Sequence, residues 1–174
     1  MVLNGEGIMI LGMSLATFTM VHVIISLIAI VAGLIAMSRM LGSRTAPGMT
    51  AIFLLFTILT SATGFLIPPL LSDKLLPSHM IGILSLVLLA IACVALYGAR
   101  LSGMWRWIYV VTALVSLYLN VFVLVIQSFL KVPALSAVAP GNPPAGPVFA
   151  IVQGIVLLFF VLVTIGAIRR FRPL

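Results

Sequence analysis

Charge is what this chain has least of. Only 6% of its 174 residues are Asp, Glu, Lys or Arg, against about 25% in a typical soluble domain. The carboxylates number two, Glu6 and Asp73. That excludes the paired acids of general acid–base catalysis and glycoside cleavage, and the oxygen cages that hold magnesium or calcium. One cysteine, Cys93, lies inside an apolar run, so no intramolecular disulfide can form. With two histidines, His22 and His79, no Ser/His/Asp set can be assembled, and the glycines form no phosphate cradle. The chain is therefore not expected to catalyse a reaction on its own.

What the sequence does hold is apolar. Hydrophobic residues make up 64% of it and the mean hydropathy is +1.41. So few charges cannot cover the surface of a water-soluble fold, which makes this an integral membrane protein. A bilayer core of about 30 Å takes roughly 20 apolar residues in helical form. Five runs meet that need, at about 8–38, 49–67, 79–99, 107–130 and 148–168. A β-barrel would show short alternating segments instead. The expected fold is an all-α polytopic bundle forming one transmembrane domain: an up-down core of four helices plus a C-terminal fifth. Gly42, Pro47 and Gly48 break the first two runs apart, and Pro68, Pro69 and Pro77 the next two. The proline-rich stretch 131–147 favours extended geometry and reads as a loop outside the bilayer. The first run is longer than one crossing requires, so its extra turns are expected to tilt or to project beyond the headgroups. It lacks the basic start of a cleaved signal, with Glu6 in that place, and reads as a retained helix.

The net charge of +7 has a one-sided distribution. Arg39, Arg44, Arg100, Arg106, Arg169, Arg170 and Arg172 fall on one side of the spans, Lys74 and Lys131 with both acids on the other. The basic residues sit in short connectors, as topology determinants do, and form no solvated face for nucleic acid. The positive-inside rule puts the amino terminus outside and the carboxyl terminus in the cytoplasm of a bacterial inner membrane. Trp105, Arg106 and Trp107 form one anchor at the inner interface; Arg169, Arg170 and Arg172, with Phe171 among them, form another. Both are expected to bind anionic lipid headgroups.

His22 and His79 are the most informative residues. The first and third helices run in the same direction. His22 lies about 15 residues before the inner end of the first, near Met37, and His79 about 18 before that of the third, near Tyr97. At about 1.5 Å per residue the imidazoles share one depth in the outer half. Helices one and three can present them to each other across the bundle, an arrangement that holds a haem iron axially. Gly64 and Gly82 fall near the same level, where small residues admit a flat macrocycle or simply another helix. The order of features resembles a group of small bacterial membrane proteins with a layout similar to the transmembrane b-type cytochromes of ascorbate and ferric-iron electron transfer. The matching steps are Val21-His22-Val23, the basic glycine-containing loop Arg39 to Gly48, Thr63-Gly64-Phe65, Pro77-Ser78-His79 and Arg100, covering about residues 20–125. That resemblance implies one b haem near the outer face with His22 and His79 as iron ligands. The inner histidine pair of the two-haem layout is missing: Thr45, Ala46 and Pro47 stand at one place, Trp105 or Trp107 at the other. A relative that lost its cofactors and kept the bundle fits the pattern equally.

Tyr118, Asn120 and Gln127 on helix four and Gln153 on helix five are the remaining intramembrane polar groups of note. Asn120 and Gln127 are seven apart and share a face. They are expected to fasten helix four to helix five; contact with a quinone headgroup or small ligand is the rival role. Nine methionines read as adaptable packing. Three functions follow: an accessory or scaffold subunit of a larger membrane complex or homo-oligomer, a single-haem electron-transfer protein, or a lipid or quinone binder.

Overall fold

The computed structural model describes residues 9–67 and 77–172, with the backbone alone for Pro77 and Ser78. Glu6, Asp73, Lys74, Pro68 and Pro69 lie outside the described residues.

The chain enters through a small antiparallel hairpin, β1 (Met9–Ile10) and β2 (Met13–Ser14). Its two-residue turn is Leu11 (φ 51°) and Gly12 (φ 79°). Positive φ at both central positions is what a tight hairpin needs and what a right-handed helix cannot use. The first helix, expected from about residue 8, therefore begins later, as α1 at Leu15–Leu41. Ser14 caps it, its hydroxyl accepting from the Thr17 amide at 3.2 Å.

The other helices are α2 (Pro47–Gly64), α3 (Pro77–Cys93), α4 (Trp105–Lys131), α5 (Pro133–Val138) and α6 (Pro147–Arg170). The end of α3 continues as a π turn, Val94–Gly98. Proline opens α2, α5 and α6 at the first turn, where its missing N–H leaves no bond unmade. Gly42 ends α1, its amide returning to the carbonyl of Ser38 at 3.2 Å. The stretch 131–147 is not all extended, because Pro133 is tolerated at the first helical position and the next prolines come only at Pro140 and beyond. One short helix forms there.

Five segments are long and apolar enough to cross a membrane: α1, α2, His79–Gly98, α4 and α6. The protein is an all-α, multi-pass membrane protein. Packing follows chain order: α1 lies mainly on α2, α2 also on α3, α3 on α4, and α4 closes against α1. The last span, α6, leans on α4 and α1 from outside this core. α1 presents a stripe of small buried residues, Ala29, Ala32, Gly33 and Ala36. Their spacing keeps one helix face free of bulk and lets neighbouring backbones come near. At Gly33 the approach is closest: a Cβ there would stand 2.5 Å from Leu117 Cδ1 and 2.8 Å from Phe53 Cδ2. Phe53, Leu89, Tyr109, Val110, Leu114 and Leu117 fill the centre.

Candidate functional site

The two histidines meet the same end of α2. His22 projects from α1 so that Nδ1 lies 2.7 Å from the hydroxyl of Thr63. That hydroxyl donates backward to the carbonyl of Leu59 at 2.7 Å, the usual use of a helical threonine. With its proton committed there, Oγ1 can only accept, so the imidazole donates through Nδ1–H. The network thereby assigns the tautomer in which Nε2 keeps its lone pair. Next along α2, a Cβ on Gly64 would rest 3.6 Å from His22 Cε1. Phe65 then stacks on His79 from α3, with ring centroids 5.6 Å apart and planes at 24°.

Thr63, Gly64 and Phe65 thus touch both imidazoles, which are half-buried. The common depth follows from the helical rise. The expected meeting of helices one and three is replaced by α2, which packs between them. The two glycines have their faces filled from within the protein. His22 covers Gly64, and Phe65 sits over Gly82, where a Cβ would come 3.0 Å from its ring. The closeness these glycines permit is used by neighbouring helices. For a haem the fit is therefore mixed: a neutral imidazole with an Nδ1–H partner is how metal-ligating histidines are held, while the flat faces expected to receive a macrocycle are occupied by side chains.

Three of the remaining four polar residues fasten helices, and one of them meets another neighbour than expected. Asn120 Nδ2 donates to Thr57 Oγ1 at 3.2 Å, tying α4 to α2 instead of to the last span. The cause is position: α2 carries its hydroxyls on the buried side, and Thr57 is fully buried. Gln153 does join the last span to α4, donating to the Phe122 carbonyl at 3.2 Å. Tyr118 reaches the same span by its ring, edge-on to Phe160 at 5.7 Å. Gln127 is exposed and has no part in that seam.

At the arginine-rich end Trp105 and Trp107 are exposed, and the Arg106 guanidinium stands 6.0 Å above the Trp107 ring. Arg169, Arg170 and Arg172 are exposed. Phe171, expected among them as a headgroup anchor, is buried instead, its ring 6.2 Å from that of Tyr109. The chain turns extended after Arg170 and folds this ring back under the bundle. Sequence reasoning missed Thr57, the stacking of Phe65 on His79 and the burial of Phe171. The signal for Thr57 was available, since it continues the spacing Thr50, Phe53, Leu54, Thr57, Ser61 along one face of α2.

No family model matches the chain, and comparison with curated proteins and with solved structures finds no similar one. The likeness to b-type cytochromes rests on the sequence pattern alone.

Proposed function

We propose that this multi-pass protein is an accessory subunit of a larger assembly in a bacterial inner membrane, with its amino terminus outside and its arginine-rich carboxyl terminus in the cytoplasm. The observation that supports this reading is the destination of the intramembrane polar groups. His22 bonds Thr63, Asn120 bonds Thr57 and Gln153 bonds the Phe122 carbonyl. Each joins two different helices, so these side chains stiffen a frame. A frame of this kind supplies surface and position to a partner. Gln127 adds to the case, because an amide exposed on a span gains from a neighbouring helix that can bond it. Extraction into lipid nanodiscs without detergent, followed by native mass spectrometry, tests the reading. A stoichiometric larger partner is the expected result; repeated recovery of the lone chain rejects it.

A second reading is favoured by the tautomer that Thr63 imposes on His22. With Nε2 holding its lone pair, His22 and His79 are the residues that would hold a single b haem at this end of the bundle, and the haem would supply one-electron redox chemistry. The chain's own part is to fix the His22 ring through Thr63 and to shield the site with Phe65. A reduced-minus-oxidised visible spectrum of the purified protein tests it: sharp α and β bands lost in His22→Ala and His79→Ala support it, and a colourless protein that takes up no added haemin rejects it.

A further inference from the structure

The backbone at the arginine-rich end departs from regular helix more than elsewhere among the described residues. α3 widens into the π turn Val94–Gly98, and three of the four non-glycine residues with positive φ lie nearby: Ser43 (54°), Arg100 (49°) and Leu101 (57°). Left-handed backbone is disfavoured for any residue with a Cβ, and π turns recur beside functional sites. These segments wall a cavity of about 470 Å³, within the range of small-molecule sites.

Its depth is apolar and its edge is basic. Among its lining residues Met40, Phe171 and Tyr109 are buried and Leu96 is half-buried, while Tyr97 and Arg44 are exposed at the edge. Tyr109 is nearly fully buried, with its hydroxyl bonded to Thr50. The Arg172 amide donates to the Ser43 hydroxyl at 3.0 Å, which ties the end of the chain beside Arg44. Arg44 lines the cavity, and the exposed Arg100 and Arg172 are the chain neighbours of its wall residues Leu101 and Phe171; none of the described residues is acidic.

We propose that this cavity holds one anionic phospholipid, its phosphate against Arg44 and part of an acyl chain over Met40, Leu96 and Phe171. A guanidinium binds phosphate oxygens through two parallel N–H donors, and basic pockets between membrane helices take anionic headgroups. A zwitterionic lipid offers the same phosphate but brings an ammonium toward the three arginines, so the site selects net negative charge. A quinone fills the apolar depth and leaves the arginines unmatched.

The test is native mass spectrometry of the full-length protein in neutral detergent, titrated separately with phosphatidylglycerol, phosphatidylcholine, inorganic phosphate and a decyl-benzoquinone. One phosphatidylglycerol is expected to stay bound, with phosphatidylcholine weaker by about fivefold or more. Arg44→Gln is expected to weaken phosphatidylglycerol by about fivefold. Ala51→Phe, at an exposed α2 position that lines the cavity, is expected to abolish retention with every charge in place. Lys131→Gln, which removes an exposed cation at the opposite end of α4 and outside the cavity, leaves binding unchanged. Far-UV circular dichroism confirms that each variant keeps its helix content. Equal retention of the two lipids, full retention by Arg44→Gln or by Ala51→Phe, saturation by phosphate alone, or preferential uptake of the quinone would each overturn the proposal.

Discussion

α2 and α6 are opposites. Taken over an 18-residue stretch of each span, α2 is the least hydropathic, with a mean hydropathy of 1.4, and α6 the most, at 2.9. Yet protein buries 28% of that stretch in α2 and only 11% of it in α6. In water that order would be reversed. Within a bilayer, lipid tails are as apolar as leucine, so hydrophobicity gives no reason for a helix to seek other helices. Hydroxyls, small residues and hydrogen-bonding side chains do. The buried face of α2 is Thr50, Phe53, Leu54, Thr57 and Ser61, three of them hydroxylated. The buried residues of α6 are Gln153, Phe160 and Ala167, one every seven, a seam one residue wide.

The strongest way to break this contrast is at Gly33, where α1 meets α2 and α4. Gly33→Leu places a branched side chain where even a Cβ would lie 2.5 Å from Leu117. Both flanking helices are tightly packed there, so relief requires α1 to move away. The expected loss is about 1–3 kcal/mol or more, read as a lower Tm in detergent micelles. An unchanged Tm would mean that the close approach of α1 to its neighbours is dispensable.

The polar fastenings come next. Thr57→Val and Asn120→Leu are each expected to cost about 0.6–1.7 kcal/mol, and the double variant no more than either alone, since one bond is removed each time. Reversible unfolding in mixed micelles measures this cycle. His22→Ala and Thr63→Val form a second cycle of about 0.6 kcal/mol at the end of α2. If either pair proves strictly additive, the hydrogen bond between its members contributes nothing to the fold.

The number of spans was legible in the sequence because bilayer thickness dictates it, and Pro47 and Pro147 mark where helices open. The depth of the two histidines was legible for the same kind of reason, a fixed rise per residue. The start of α1 was hidden by its own hydrophobicity: the run is unbroken from Ile8 onward, and hydropathy reports affinity for lipid without reporting backbone shape. Gly12 and Ser14 carried the missing signal, one as a turn residue and the other as a cap. Neighbour order was not legible, because each helix shows its inner face and not whose face it meets. Hence Asn120 found α2, and α2 came between the helices that carry the histidines. The cavity at the arginine-rich end was beyond reach, since the positive φ values at Ser43, Arg100 and Leu101 fall on residues that rarely adopt them.

The smallest effect is expected on the other side of the comparison. Gly154 lies in the middle of the outward part of α6, and a Cβ built there meets nothing within 4 Å. Gly154→Leu should therefore be accommodated without a clash, against lipid rather than protein. Leucine is also the better helix former, by somewhat under 1 kcal/mol in an exposed helix interior, so the Tm should hold or rise slightly. The same glycine-to-leucine change, made on α1 and on α6, then has opposite signs at Gly33 and Gly154. A marked loss at Gly154 would show that its open face is covered when the protein is in its native membrane, and a variant that disrupts partner recovery while leaving the isolated chain equally stable would place the subunit contact on α6.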